Sequence, residues 1–261
     1  MHAIRGLLAV LVALFLATSP CAAKPPNAQV MQTLAPTGKL RVGLYAGPTN
    51  VIRGAGDQPH GVGFDLGKEL AGRLGVPFVP VTYASPGALM DGLKAAEWDI
   101  CFVGVTAERE KILSFTEPFL LIEQSYLVPA GSPIDSIGEV DRAGFRIGAP
   151  QGGSVNTVLS RTIKHATIVP IAGNAAAADL LKAGKIDAFA ASKANLADIS
   201  GRVPGSRILD GRIGVDEIPI GIPRGREAAL PYLKQFLQDA KSKGLIRAAV
   251  WNAGIRGALE K

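Results

Sequence analysis

The strongest constraint on this fold is an alternation of short apolar runs with leucine-periodic segments, punctuated by glycine and proline. Leu40-Arg41-Val42-Gly43-Leu44 has the length and character of a buried strand. A Gly-rich loop runs from Tyr45 to Gly63. Beyond it, Leu66, Leu70 and Leu74 recur at the spacing of one helix face, and Gly75 and Pro77 end that helix. Phe78 to Tyr83 predicts a second strand. Ser85-Pro86 then places an N-cap before a proline at the first helical position, with Leu89 and Leu93 facing inward. Trp98 to Val103 is a third strand. A β-α-β-α-β order argues for a mostly parallel sheet with helices on its faces.

A second run of the same kind begins near Gly131. It has a strand from Phe145 to Ala149, a tight loop at Gln151-Gly152-Gly153, and a helix from Ser154 bearing Val155, Val158 and Leu159. A strand from Thr167 to Pro170 follows, then a helix capped by Asn174 and stopped at Gly184, and an apolar strand from Asp187 to Ala191. The two halves resemble each other as units without an obvious residue-level repeat. Strand-like segments at Glu123–Pro129 and Glu217–Pro223 cross between them. After these come an amphipathic helix with Leu233, Phe236, Leu237 and Ala240 inward and a last helix carrying Ile246, Val250 and Trp251. The expected architecture is α/β with two lobes: residues 39–127 plus 221–261 form the first and 128–220 the second, behind an extended lead-in over 24–38. Ligands of open α/β sheets bind beyond the carboxyl ends of the strands. Across two lobes those ends face a cleft that a hinge can close.

The start of the chain reads as an export signal. Arg5 precedes the apolar run Gly6 to Ala17, and Thr18-Ser19-Pro20-Cys21-Ala22-Ala23 supplies small residues for cleavage after Ala23, making 1–23 a signal peptide. The run is shorter than the roughly 20 residues a membrane-spanning helix needs. Cys21 also invites a lipoprotein reading, which Pro20 fits poorly. Cleavage leaves Cys101 as the one cysteine, so an internal disulfide in a monomer is excluded. Cys101 sits in an apolar run without an activating base, as a buried structural thiol does. No Cys/His cluster suggests a metal, and no cofactor motif stands out: Gln151-Gly152-Gly153 lacks the G-x-G-x-x-G spacing of a dinucleotide loop. The formal net charge of +6 is spread along the chain, which argues against nucleic-acid binding and fits an anionic ligand.

Several stretches in order resemble the bacterial extracellular solute-binding proteins of the polar amino acid (family 3) type. They are Leu40-Arg41-Val42-Gly43, Gly63-Phe64-Asp65-Leu66, Trp98-Asp99-Ile100, Thr106 to Lys111 and Phe115-Thr116-Glu117-Pro118-Phe119. They continue with Gly148 to Ser154, Gly184 to Ala188 and Gly221 to Gly225. The resemblance covers the chain from about Lys39 onward. It implies the two-lobed periplasmic-binding-protein-like (type II) fold, with two crossing hinge strands. It also implies a periplasmic, monomeric protein that captures a small molecule for an ABC permease without catalysis.

The resemblance also supplies positions for the ligand. Arg109 falls on the arginine that clamps a carboxylate, a task suited to a planar fork of donors. Gly104 and Val105 would present backbone groups beside it. The stretch before Arg109 is shorter than usual, and Gly104 stands where the family has a hydroxyl. Gly153 and Ser154 open a helix, whose N-terminus favours anions; Ser154 could add a hydroxyl, and capping alone is nearly as good a reading. Asn50, in the first loop, could hydrogen-bond the ligand, and Tyr45 could stack on it.

The sharpest departure is at Ser192, followed by Lys193, where amino-acid binders of this type place the aspartate that holds the ammonium group. The expected ligand is therefore a carboxylate or other anion, or an amino acid held differently. Two alternatives stay open. A cyclohexadienyl dehydratase-like enzyme would need an acidic group in the cleft, and the strand end after Asp187 offers Ser192, Lys193 and Asn195 instead. A sensor for a membrane receptor would have the same cleft as a transport protein.

Overall fold

The computed structural model of the protein describes residues 26–52, 58–255 and 258–260. The expected signal peptide, with Cys21, lies outside the described residues.

The lead-in is helical over α1 (Ala28–Leu34) rather than extended. Asn27 caps it, its Oδ1 accepting from the Val30 N–H at 2.8 Å. Val30 and Leu34, four apart, bury themselves in the core, and this outweighs the extended bias of Pro25-Pro26 just before. The chain then runs through β1 (Leu40–Tyr45), α2 (Val62–Leu74), β2 (Phe78–Tyr83), α3 (Pro86–Lys94) and β3 (Ile100–Phe102). As expected, Ser85 caps α3, accepting from the Ala88 N–H at 3.2 Å, with Pro86 at its start. A one-turn helix α4 (Ala107–Glu110) and strand β4 (Leu113–Phe115) complete this part.

β5 (Leu120–Val128) leads into the second half, which comprises β6 (Arg146–Pro150), α5 (Val155–Thr162), β7 (Thr167–Ile171), α6 (Asn174–Lys182), β8 (Ala188–Ser192), α7 (Lys193–Ser200) and β9 (Arg207–Ile208). β10 (Gly214–Ile218) and β11 (Ile220–Pro223) return to the first half. α8 (Leu230–Ser242), α9 (Leu245–Asn252) and β12 (Leu259–Glu260) follow. α6 is capped by Gly173, and Asn174 is its first helical residue.

Two sheets result. The first has the order β2-β1-β3-β11-β4, parallel through β2, β1 and β3, with β11 antiparallel to both its neighbours. The second has the order β10-β5-β8-β6-β7, parallel through β8, β6 and β7, with β9 and β12 also pairing with β5. Each is thus a parallel unit flanked by helices and extended by antiparallel crossing strands. The long strand β5 serves both lobes: Leu120 and Ile122 pack in the core of the first, Tyr126 and Val128 in that of the second. β8 is buried on both faces, Ala188 and Ala190 toward one apolar layer, Phe189 and Ala191 toward the other.

The structure reveals a residue-level repeat that the sequence analysis did not find. In the first lobe, the Arg41 guanidinium forks onto Asp99 (Nε to Oδ2 3.0 Å, Nη2 to Oδ1 2.8 Å), and Asp99 also accepts the Arg41 backbone N–H. In the second, Arg146 forks onto Asp187 (2.9 and 2.8 Å), which likewise accepts the Arg146 N–H. Each pair ties the start of a central strand to the residue preceding β3 or β8. Both lie at the amino ends of the parallel strands, and the carboxyl ends stay free to form a cleft.

Candidate functional site

The carboxyl ends of the strands meet between the lobes. Tyr45 ends β1 and Gly104 follows β3. Pro150 ends β6, Ser192 ends β8, and Asp216 and Gln124 come from the crossing strands β10 and β5. All six line one cleft, together with Ser85 and Pro86 at the start of α3 and Ser154, Asn174 and Asn195 from the second lobe. Free space in this closed arrangement is about 30 Å³, room for a few heavy atoms.

Arg109 is the central cation. It is buried, and its guanidinium donates to the Gly104 carbonyl in the first lobe (2.5 Å) and to the Gly152 carbonyl in the second (2.6 Å). One side chain therefore spans the cleft. The Thr106 hydroxyl accepts the Arg109 N–H at 3.2 Å and so starts the short helix that aims the side chain inward.

Asp216 is one of two residues that sequence reasoning missed. The burial of β10 alternates, with Asp216 and Ile218 inside and Val215 and Glu217 outside. Its carboxylate accepts from the Ser154 hydroxyl at 2.7 Å, and Ser154 in turn accepts from the Gln124 amide at 3.3 Å. Burial pushes the Asp216 carboxyl above the ordinary carboxylate range, against the opposing pull of the Ser154 hydrogen bond and the Arg109 charge. Gly104 makes room for it, since a Cβ there would collide with Oδ1. Tyr45 lies close by, its phenol pushed up to about 12 by burial and by the Asp216 charge.

Of the residues singled out beforehand, Gly104, Arg109, Gly153, Ser154 and Ser192 line this cleft. Ser154 makes no capping bond to α5; its hydroxyl is spent on Asp216. Ser192 does cap, accepting the Asn195 N–H at 3.4 Å. Three candidates lie elsewhere. Val105 lines a separate surface hollow with Phe115 and Arg224. Lys193 is ion-paired with Glu123 at 2.6 Å. Asn50 is fully buried in the first loop, and neither atom of its amide has a partner among the described residues. The missed residues are Gln124, in the crossing segment Glu123–Pro129, and Asp216, one residue before the crossing segment Glu217–Pro223. The one available signal was the two-residue spacing of Asp216 from Ile218.

The lobes touch along a seam of backbone. The Gly87 N–H donates to the Gln151 carbonyl at 3.0 Å. A Cβ on Gly152 would lie 2.7 Å from the Gly87 Cα, and one on Gly173 would lie 3.0 Å from the Ala84 carbonyl oxygen. A Cβ on Gly47 would run into the Asn195 amide.

Comparison with known proteins places this geometry. A mutant of ArgBP from T. maritima is 21% identical, with a TM-score of 0.76 over 87% of this chain and 100% of that one. A binding component of an ABC transporter from Wolinella succinogenes, solved with lysine, is 25% identical, with a TM-score of 0.74 over 85% of this chain and 97% of its own. An ancestral amino acid-binding protein, a precursor of cyclohexadienyl dehydratase, is 21% identical, with a TM-score of 0.74 over 85% and 98%. The described residues contain no helix long and apolar enough to cross a membrane. Residues 40–250 match the family model as well, and the chain belongs to the bacterial extracellular solute-binding proteins, family 3.

Proposed function

We propose that this protein captures a small carboxylate-bearing solute outside the cytoplasmic membrane, closes its two lobes over it, and presents the closed form to an ABC importer. The observation that carries the reading is Arg109. It stands buried between the lobes, bonded to a carbonyl of each, and it lines a cleft of polar side chains. A carboxylate docked on that fork gains charge-assisted bonds available only where the lobes meet. Ligand affinity for the closed form thereby shifts the open–closed equilibrium by the difference between the two states. The relative solved with lysine supports a solute of amino-acid size.

A thermal-shift screen of the exported chain with amino acids, mono- and dicarboxylates and inorganic anions tests this. A ligand at a hundred times its dissociation constant raises stability by about 2.7 kcal/mol, visible as a higher Tm, and Arg109→Ala abolishes the shift. A shift that survives Arg109→Ala refutes the assignment.

A second reading, turnover in the cleft, has one specific observation behind it. Asp216 is a buried carboxyl held above its usual range, the acidic group that loss of water from a substrate calls for. Prolonged incubation with each bound ligand, followed by NMR of the recovered material, separates the readings: a carrier returns the ligand unchanged, an enzyme converts it.

A further inference from the structure

We propose that the outer face of α8 and α9 docks on an anionic lipid surface, with Trp251 seated among the headgroups. This face is separate from the cleft and from whatever the cleft holds.

Among the described residues, Trp251 is the most exposed large apolar side chain, at 84%, and Leu259 follows at 66%. Folding usually covers most of a tryptophan. Arg247 lies four residues before Trp251, so the two share one side of α9, while Ile246 and Ala249 are buried on the other. Arg247 Nε donates to Glu260 Oε1 at 3.3 Å, which brings β12, and with it Leu259, alongside the helix. At Ile246 lies a hollow of about 90 Å³, lined also by Phe119 and Leu237 and by Lys234 and Lys241. Apolar surface and long basic side chains are therefore interleaved.

The charge of this segment has one sign. From Ala240 to Leu259 the chain carries Lys241, Lys243, Arg247 and Arg256 and no acid. Neighbouring positions supply Glu260 to Arg247, Glu117 to Lys234, and Asp239, whose carboxylate is bonded to Arg73 at 2.6 Å and to Gln235 at 2.8 Å. The pairs of Arg247 and Lys234 are exposed, and exposed pairs hold their cations loosely.

A lipid surface is the occupant that this chemistry selects. A second copy meeting the same face would set cations against cations. A small soluble anion would engage the basic side chains and leave Trp251 in water. The boundary of a bilayer offers both halves at once: headgroup charge for Lys243 and Arg247, and an apolar layer for an indole whose N–H stays in the wet zone. α8 and α9 pack in the core of the first lobe, so contact here leaves the second lobe free to close. For a carrier that must meet a membrane permease, such contact confines the search to the bilayer surface.

The test follows tryptophan emission. The chain has two tryptophans, and Trp98 is fully buried, so Trp251 reports against an unchanging background. The full exported chain is titrated with vesicles of phosphatidylglycerol and phosphatidylethanolamine, and separately with vesicles of phosphatidylcholine. The anionic vesicles sediment with the protein and shift its emission to the blue, and the neutral ones do neither. Raising the salt to about 0.5 M weakens the binding. Trp251→Ala removes the blue shift and weakens binding tenfold, as does Lys243→Glu combined with Arg247→Glu. The control is Arg161→Glu with Lys164→Glu on the second lobe, which changes the net charge equally and leaves binding within threefold. All five side chains are exposed, and circular dichroism checks that each variant keeps the fold.

Failure to sediment with anionic vesicles, sedimentation without a blue shift, or an equal loss in the second-lobe control overturns the lipid surface. Dimerisation through Trp251 in place of vesicle binding overturns it too and assigns the face to a second copy.

Discussion

Gly104 decides more by what it lacks than most residues do by what they carry. A methyl group there would run into the Asp216 carboxylate and come within 3.2 Å of the Ser154 Cβ. Gly104→Ala is therefore expected to weaken ligand binding at least tenfold while the fold survives, measured by titration beside circular dichroism. Cys101 is the opposite case, a reactive residue type made inert by its surroundings. It is fully buried, and desolvation pushes its thiol up to about 12. Ellman's reagent should leave Cys101 unlabelled in the native protein and modify it once guanidinium unfolds the chain. Residue placement was legible where one chemistry dominates, as for Arg109 at the cleft and Cys101 in the core. Roles were illegible where tertiary placement chooses among several, as for Ser154, which binds Asp216 rather than capping, and Lys193, which pairs with Glu123.

At the scale of elements, the sequence spoke through local chemistry. Ser85-Pro86 announced α3 because a hydroxyl cap and a proline without an N–H solve the same problem at a helix start. The Leu66-Leu70-Leu74 spacing announced α2 and its buried face. The first helix escaped because its evidence is thin: one cap, Asn27, and one apolar pair, Val30 and Leu34. The Arg–Asp forks escaped because each joins residues 41 to 58 positions apart, and only pairing of β1 with β3 and β6 with β8 brings them together. They make a pH prediction. The Arg146 guanidinium holds the Asp187 carboxyl below the usual carboxylate range. A depressed acid contributes stability that is present above the unfolded value, about 3.9, and is lost as pH falls through the lower folded value. Asp187→Asn should therefore lower Tm at pH 7, and the gap to wild type should close as the pH falls from about 4 downward.

Across the whole molecule, closure is a matter of backbone meeting backbone. Gly152 has φ +68°, and a Cβ on it would press into Gly87. Gly152→Val should hold the lobes apart: small-angle scattering with saturating ligand should show a larger radius of gyration than wild type, and affinity should fall tenfold or more. Two lobes, crossing strands and a cleft at the strand ends followed from the order of the segments alone. The contents of that cleft did not, because six strands and the starts of several helices converge there from distant parts of the sequence. The matched forks bear on how such a molecule can change over time. Each lobe is fastened at the pole away from the cleft, by Arg41 with Asp99 and by Arg146 with Asp187. Substitutions at the opposite pole leave those fastenings untouched, so inheritance can rewrite ligand preference without dismantling the scaffold.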